Sequence, residues 1–120
     1  MNDTFVVDWS RAFLATYVME APIVAYLART AEPKLWRRLT LALFAQLVTH
    51  PAVWFIFPEL GMSTGPELVV CELWAWLAEA VFYRVVFPGL STRRALLTAF
   101  FANYFSLVFG LYLREWTGWV

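Results

Sequence analysis

The chain has 120 residues, of which 62% are hydrophobic and 19% aromatic, more apolar surface than a soluble protein of this size can bury. Its net charge is zero and no basic run is present, so there is no field to attract nucleic acid. The single cysteine, Cys71, excludes an internal disulfide, a CxxC redox pair and a thiolate zinc site, and suits a small buried hydrophobe.

The N-terminal MNDTFVVDWSRAF places Asp3 and Asp8 where a secretory signal would be basic, and reads as a retained segment. A first helix is expected over residues 10–29, capped by Asp8 or Ser10, with Pro22 removing one backbone hydrogen bond and bending it. Thr16 and Glu20 are four apart and share a face. A second helix, 39–57, carries Gln46, Thr49 and His50 on one face, with Pro51 expected to kink it. The breaker-rich PELGMSTGP follows as a turn.

The third helix, 67–87, is the one the others are organised around. Glu72 and Glu79 are two turns apart on one stripe, with Trp76 between them and Tyr83 one turn beyond. A charge at a bilayer centre costs about 2.5–3.5 kcal/mol on insertion scales, so this stripe must face protein. The fourth helix, 94–113, aligns Asn103, Ser106 and Gly110, a small polar stripe that would let helices approach closely. Trp116 and Trp119 suit an interfacial belt. The expected fold is therefore all-α: one polytopic four-helix transmembrane bundle.

Arg29, Lys34, Arg37 and Arg38 mark the first connection, and Arg84, Arg93 and Arg94 the third, whereas the second carries only Glu59 and Glu67. The positive-inside rule then puts both basic loops in the cytoplasm and both termini outside. At about 1.5 Å per residue from the outer side, Glu20, Glu79 and Asn103 fall about 15–18 Å deep, and His50, Glu72 and Ser106 about 8–10 Å, with Gln46 between. Gln46, Thr49, Asn103 and Ser106 can serve simply to hydrogen-bond helices together, and Trp76 and Tyr83 to pack. Glu20, Glu72, Glu79 and His50 are the functional candidates, because an intramembrane ionisable group is costly without a task.

Three carboxylates and one imidazole match the donor set of a divalent metal as cofactor, with no HExxH or Glu-x-x-His spacing behind it. The same groups suit a proton or cation relay, since carboxylates taken out of water near each other hold protons more readily. The small multidrug transporters are similar in size, in four-helix layout and in having a Glu in the first helix. Ser106 with His50 and an acid makes a hydrolase a minor reading, with no nucleophile elbow. His50 is a poor single haem ligand, with only Met19 or Met62 as second candidates.

Met19-Glu20-Ala21-Pro22, Thr49-His50-Pro51, Glu72 with Glu79 and Tyr83, and Asn103-x-x-Ser106-x-x-x-Gly110 resemble a loose group of small bacterial four-helix membrane proteins of unassigned function. That resemblance implies an inner-membrane protein and the same central residues, and supplies no activity. The expected function is binding or passage of a proton or metal cation at the polar layer. The alternatives are a non-catalytic subunit of a larger membrane complex and a membrane-embedded metalloenzyme. Expected partners are the lipid bilayer and a homodimer or larger assembly, since four short helices leave little room for a pore.

Overall fold

A computed structural model describes residues 3–118. Those residues form four long helices and no strand: α1 (Asp3–Leu27), α2 (Leu35–Pro51), α3 (Thr64–Val86) and α4 (Thr92–Thr117). Each helix packs on its neighbour in sequence, and α1 packs on α4, which closes the ring. The body measures 41 × 27 × 24 Å.

All four helices start earlier than the hydropathy pattern predicts. α1 begins at Asp3, not near Ser10. Asp8 and Ser10 are therefore interior residues, and the Ser10 hydroxyl donates to the Val6 carbonyl at 2.8 Å instead of capping. The helix continues through Pro22, which is exposed. α4 runs to Thr117 and ends on Gly118 in the left-handed region, φ 60°, a conformation glycine adopts without steric cost. Its start is capped as expected of serine, the Ser91 hydroxyl accepting from Arg94 N–H at 3.1 Å.

The expected disturbance at Pro51 is present in a specific form. α2 ends there and the chain continues as a π-helical turn, Ala52–Ile56, then a 3-10 turn, Phe57–Leu60. Proline has no N–H to give the preceding turn, and a π-turn is a common local solution, often beside a functional site. The turn stacks Trp54 on His50, with ring centroids 6.2 Å apart.

The two ends of the bundle differ. At the basic-loop end, Val24, Ala28, Tyr83, Phe87, Leu90 and Ala95 are buried in one core with Ala42, Ala45, Ala99 and Ala102. These alanines, rather than glycines, bring the helices close. Gly110 was expected to do so, but a Cβ there would meet nothing within 4 Å. It lines a cavity instead. Next to this core, charged side chains are also inside, and large apolar ones face out: Glu20 and Glu79 are each 1% exposed, while Val81 and Val85 are 65% and 71% exposed. Two segments, Leu35–Leu60 and Thr92–Thr117, are long and apolar enough to cross a membrane. Trp116 is fully open to the outside at the end of α4; Trp119 lies outside the described residues.

Candidate functional site

Each helix contributes one side of a buried polar cluster. α1 brings Glu20, α2 brings Gln46 and Thr49, α3 brings Glu79, and α4 brings Asn103 and Ser106. The Gln46 side-chain nitrogen donates to Glu20 Oε2 and also to Glu79 Oε1, the latter at 3.3 Å. One amide group thus bridges two carboxylates. Glu20 Oε1 accepts from the Ser106 hydroxyl at 2.6 Å. Glu79 Oε1 accepts from the Thr49 hydroxyl at 3.0 Å, and Oε2 from Asn103 Nδ2 at 2.9 Å. Asn103 gives its other amide hydrogen to the Ala99 carbonyl at 2.8 Å, which fixes the orientation of the group.

Every neighbour of this pair is therefore a neutral donor. Among the described residues the one ion pair joins Arg37 to Glu32 at 3.5 Å, in and beside the first basic loop. No guanidinium or ammonium among the described residues offsets the charge of Glu20 and Glu79. Two negative charges a few ångströms apart and out of water cannot both persist without a compensating positive charge.

The pair sits at the base of a cavity of about 570 Å³ that all four helices line. Asp8, Arg11 and Arg114, all exposed, lie at its mouth, on the end of the bundle where α1 starts and α4 finishes. Thr16 and Met19 line the α1 wall, as the spacing of Thr16 and Glu20 predicts. Below the pair the interior is closed by the core of Tyr83, Phe87 and Leu90. The cavity thus has one open end.

The sequence-predicted candidates divide into two groups. Glu20, Gln46, Thr49, Glu79, Asn103 and Ser106 meet directly. Ser106, expected in the shallower layer, joins the deeper one because its hydroxyl reaches the Glu20 carboxylate. Glu72 and His50 line the cavity nearer its mouth and do not join the network. Glu72 is half-buried. His50 is enclosed by aromatic rings, edge-on to Phe13 at 5.5 Å and stacked on Trp54, and its buried Nδ1 has no hydrogen-bond partner. Among the described residues no group of three or more His, Cys, Asp or Glu side chains is placed to hold a metal ion. The expected metal set of Glu20, His50, Glu72 and Glu79 does not assemble, because the π-turn holds His50 against the aromatic wall while Glu79 is taken up by donors from α2 and α4.

Two indoles tie helices together, one of them, Trp74, not singled out by the sequence pattern. Trp74 Nε1 donates to the Thr49 carbonyl at 3.2 Å, and so braces the turn that presents Thr49 and His50. Trp76 Nε1 donates to the Leu96 carbonyl at 2.9 Å and ties α3 to α4, the packing role expected of it. Arg11 and Arg114 also escaped notice as site residues, because each is a lone charge near a helix end.

Tyr83, one turn below Glu79, is fully buried, and its hydroxyl has no hydrogen-bond partner. A buried hydroxyl left unpaired costs about 1–3 kcal/mol. Tyr83→Phe is therefore expected to stabilise the bundle by about 1 kcal/mol, measured as a shift in its unfolding midpoint in detergent. A loss of similar size would show that the hydroxyl does bond in the working protein.

Comparison of the chain with protein-family models, with curated proteins and with solved structures found no match.

Proposed function

We propose that this is an integral membrane protein whose four helices all span the bilayer, and whose Glu20–Glu79 pair binds a proton delivered through the open cavity. The observation that carries the reading is the pair itself: two carboxylates, each 1% exposed, sharing one amide donor, with no basic side chain in contact. A proton supplies the missing positive charge and needs no added space. A metal cation needs several oxygen ligands of its own, and all four carboxylate oxygens here already accept from protein donors.

The membrane assignment rests on which side chains face outward. α1 and α3 carry Glu20, Glu72 and Glu79, which lowers their mean hydropathy, but these residues point into the bundle or its cavity. Their outer faces present Leu14 and Val18, and Leu73, Leu77, Val81 and Val85. Polar inside and apolar outside is the arrangement a hydrocarbon solvent requires. The basic connections put the closed end of the bundle in the cytoplasm, so the cavity opens on the opposite side together with both termini. The resemblance noted from the sequence points to a bacterial inner membrane.

The test is a pH jump applied to proteoliposomes adsorbed on a solid-supported electrode. Wild-type protein is expected to give a transient current as protons enter the cavity and bind. Glu20→Gln and Glu79→Gln are each expected to abolish it, and Glu72→Gln to leave it. A wild-type response no larger than that of protein-free liposomes would remove the proposal.

A further inference from the structure

A second cavity lies on the outside of the bundle, between α1 and α4 and away from the carboxylate pair. It is a groove of about 440 Å³ with almost entirely apolar walls, among them Pro22, Tyr26, Leu27, Phe101 and Tyr104. Three arginines gather where it meets the basic-loop end. The Arg29 guanidinium lies 4.0 Å above the Tyr26 ring and donates to the Tyr26 carbonyl at 2.7 Å. Arg94 Nε donates to the Leu27 carbonyl at 2.9 Å. Arg93 is exposed and shares a stripe of α4 with Leu97 and Phe101, about 12 Å above the latter.

Their placement leaves a charge unmatched. The ion pair among the described residues uses Arg37 and Glu32, so none of these three arginines faces a carboxylate. Arg93 and Arg94 also stand in the first turn of α4, which has no acidic residue. There they add to the positive pole of the helix instead of offsetting it. An anion at this position would be favoured by the helix end, by its free N–H groups and by the guanidinium groups together.

We propose that this groove is a binding site for an anionic phospholipid, with its phosphate on Arg29, Arg93 and Arg94 and one acyl chain along Pro22, Tyr26, Phe101 and Tyr104. The proposal rests on the membrane orientation given above, which places this end of the groove at the cytoplasmic headgroup level. It is independent of what the carboxylate pair binds. The charge favours a lipid over a neighbouring helix as occupant, because an apolar helix would leave the arginines unanswered. Basic clusters beside transmembrane helices on the cytoplasmic side are suited to anionic headgroups.

The test is native mass spectrometry of the full chain, released from detergent after addition of equal amounts of phosphatidylglycerol and phosphatidylcholine with identical chains. Phosphatidylglycerol is expected to be retained in preference. The double variant Arg29→Gln/Arg93→Gln is expected to weaken retention about 30-fold, roughly 5-fold for each charge. Both positions are exposed, so its unfolding midpoint in phosphatidylcholine should match that of the wild type. Glycerol phosphate, with the headgroup charge and no chain, is expected not to displace the lipid. Equal retention of the two lipids, an unaffected double variant, or displacement by glycerol phosphate would each overturn the assignment. A lipid site that survives while the pH-jump current fails would separate this inference from the proton reading.

Discussion

Replacing Glu79 by alanine is expected to destabilise the bundle by about 2–4 kcal/mol, the largest effect of any single substitution in the polar layer. Glu79 is the acceptor on which α2 and α4 converge, taking hydrogen bonds from Gln46, Thr49 and Asn103. Each interhelical bond inside a membrane is worth about 0.6 kcal/mol on average. The larger part of the loss comes from the donors left behind. Gln46 and Thr49 are 1% and 2% exposed in the intact bundle, and pairing them again requires water to be drawn in from the cavity. Thr49 can fall back on the Ala45 carbonyl at 3.2 Å, but Gln46 has no second acceptor beyond Glu20. Little repulsion is recovered in exchange if, as proposed, one proton is shared between the two carboxyl groups and leaves them a single negative charge. Glu72→Ala provides the contrast. Glu72 is half-buried and outside the network, so its loss is expected to cost under about 0.5 kcal/mol. Equilibrium unfolding in mixed micelles with dodecyl sulfate measures both. Equal losses at the two positions would mean that the network does not hold the helices together.

The extent to which this site was legible in the sequence follows from its physics. A carboxylate in the middle of an apolar helix is conspicuous because its cost is large, and Glu20 and Glu79 stand out for that reason. Gln46, Thr49, Asn103 and Ser106 were found by helical spacing, since residues three and four apart share a face. Which of these side chains touch is a different matter. It depends on helix rotation and on local backbone geometry, and neither is written in spacing alone. Glu72 lies on the same stripe as Glu79, yet two turns nearer the mouth it faces open cavity instead of donors. His50 is adjacent to Thr49, but one position is a rotation of about 100° on a helix, and the π-turn after Pro51 fixes its ring against Trp54. Spacing alone points Gly110 to close packing, yet it lines the cavity, because small residues serve both contact and cavity.

Exchange of either glutamate for glutamine is expected to abolish proton binding, at the cost of one acceptor in the network. Glutamine keeps the shape of the carboxyl group and one acceptor oxygen. Its amide replaces the hydrogen that the proton would supply, so Glu79→Gln donates toward Glu20, and Glu20→Gln toward Glu79. The remaining carboxylate is then a single charge surrounded by donors and has no call for a second proton. The two substitutions are expected to be non-additive: each alone removes the bound proton, and the double variant removes nothing further. Residues in one hydrogen-bonded network behave in this way, whereas independent sites would add. Gln46 has a different part. It organises the pair without exchanging a proton, so Gln46→Leu is expected to weaken the bundle while leaving a proton bound.

The most direct measurement is infrared spectroscopy of the protein in lipid nanodiscs at neutral pH, in H₂O and in D₂O. The C=O stretch of a protonated carboxyl group is expected, shifted in D₂O because the cavity admits solvent to the pair. That band should be absent from both Glu20→Gln and Glu79→Gln and unchanged in Glu72→Gln. A spectrum with ionised carboxylates only, or a protonated band that disappears with Glu72→Gln alone, would contradict the proton reading.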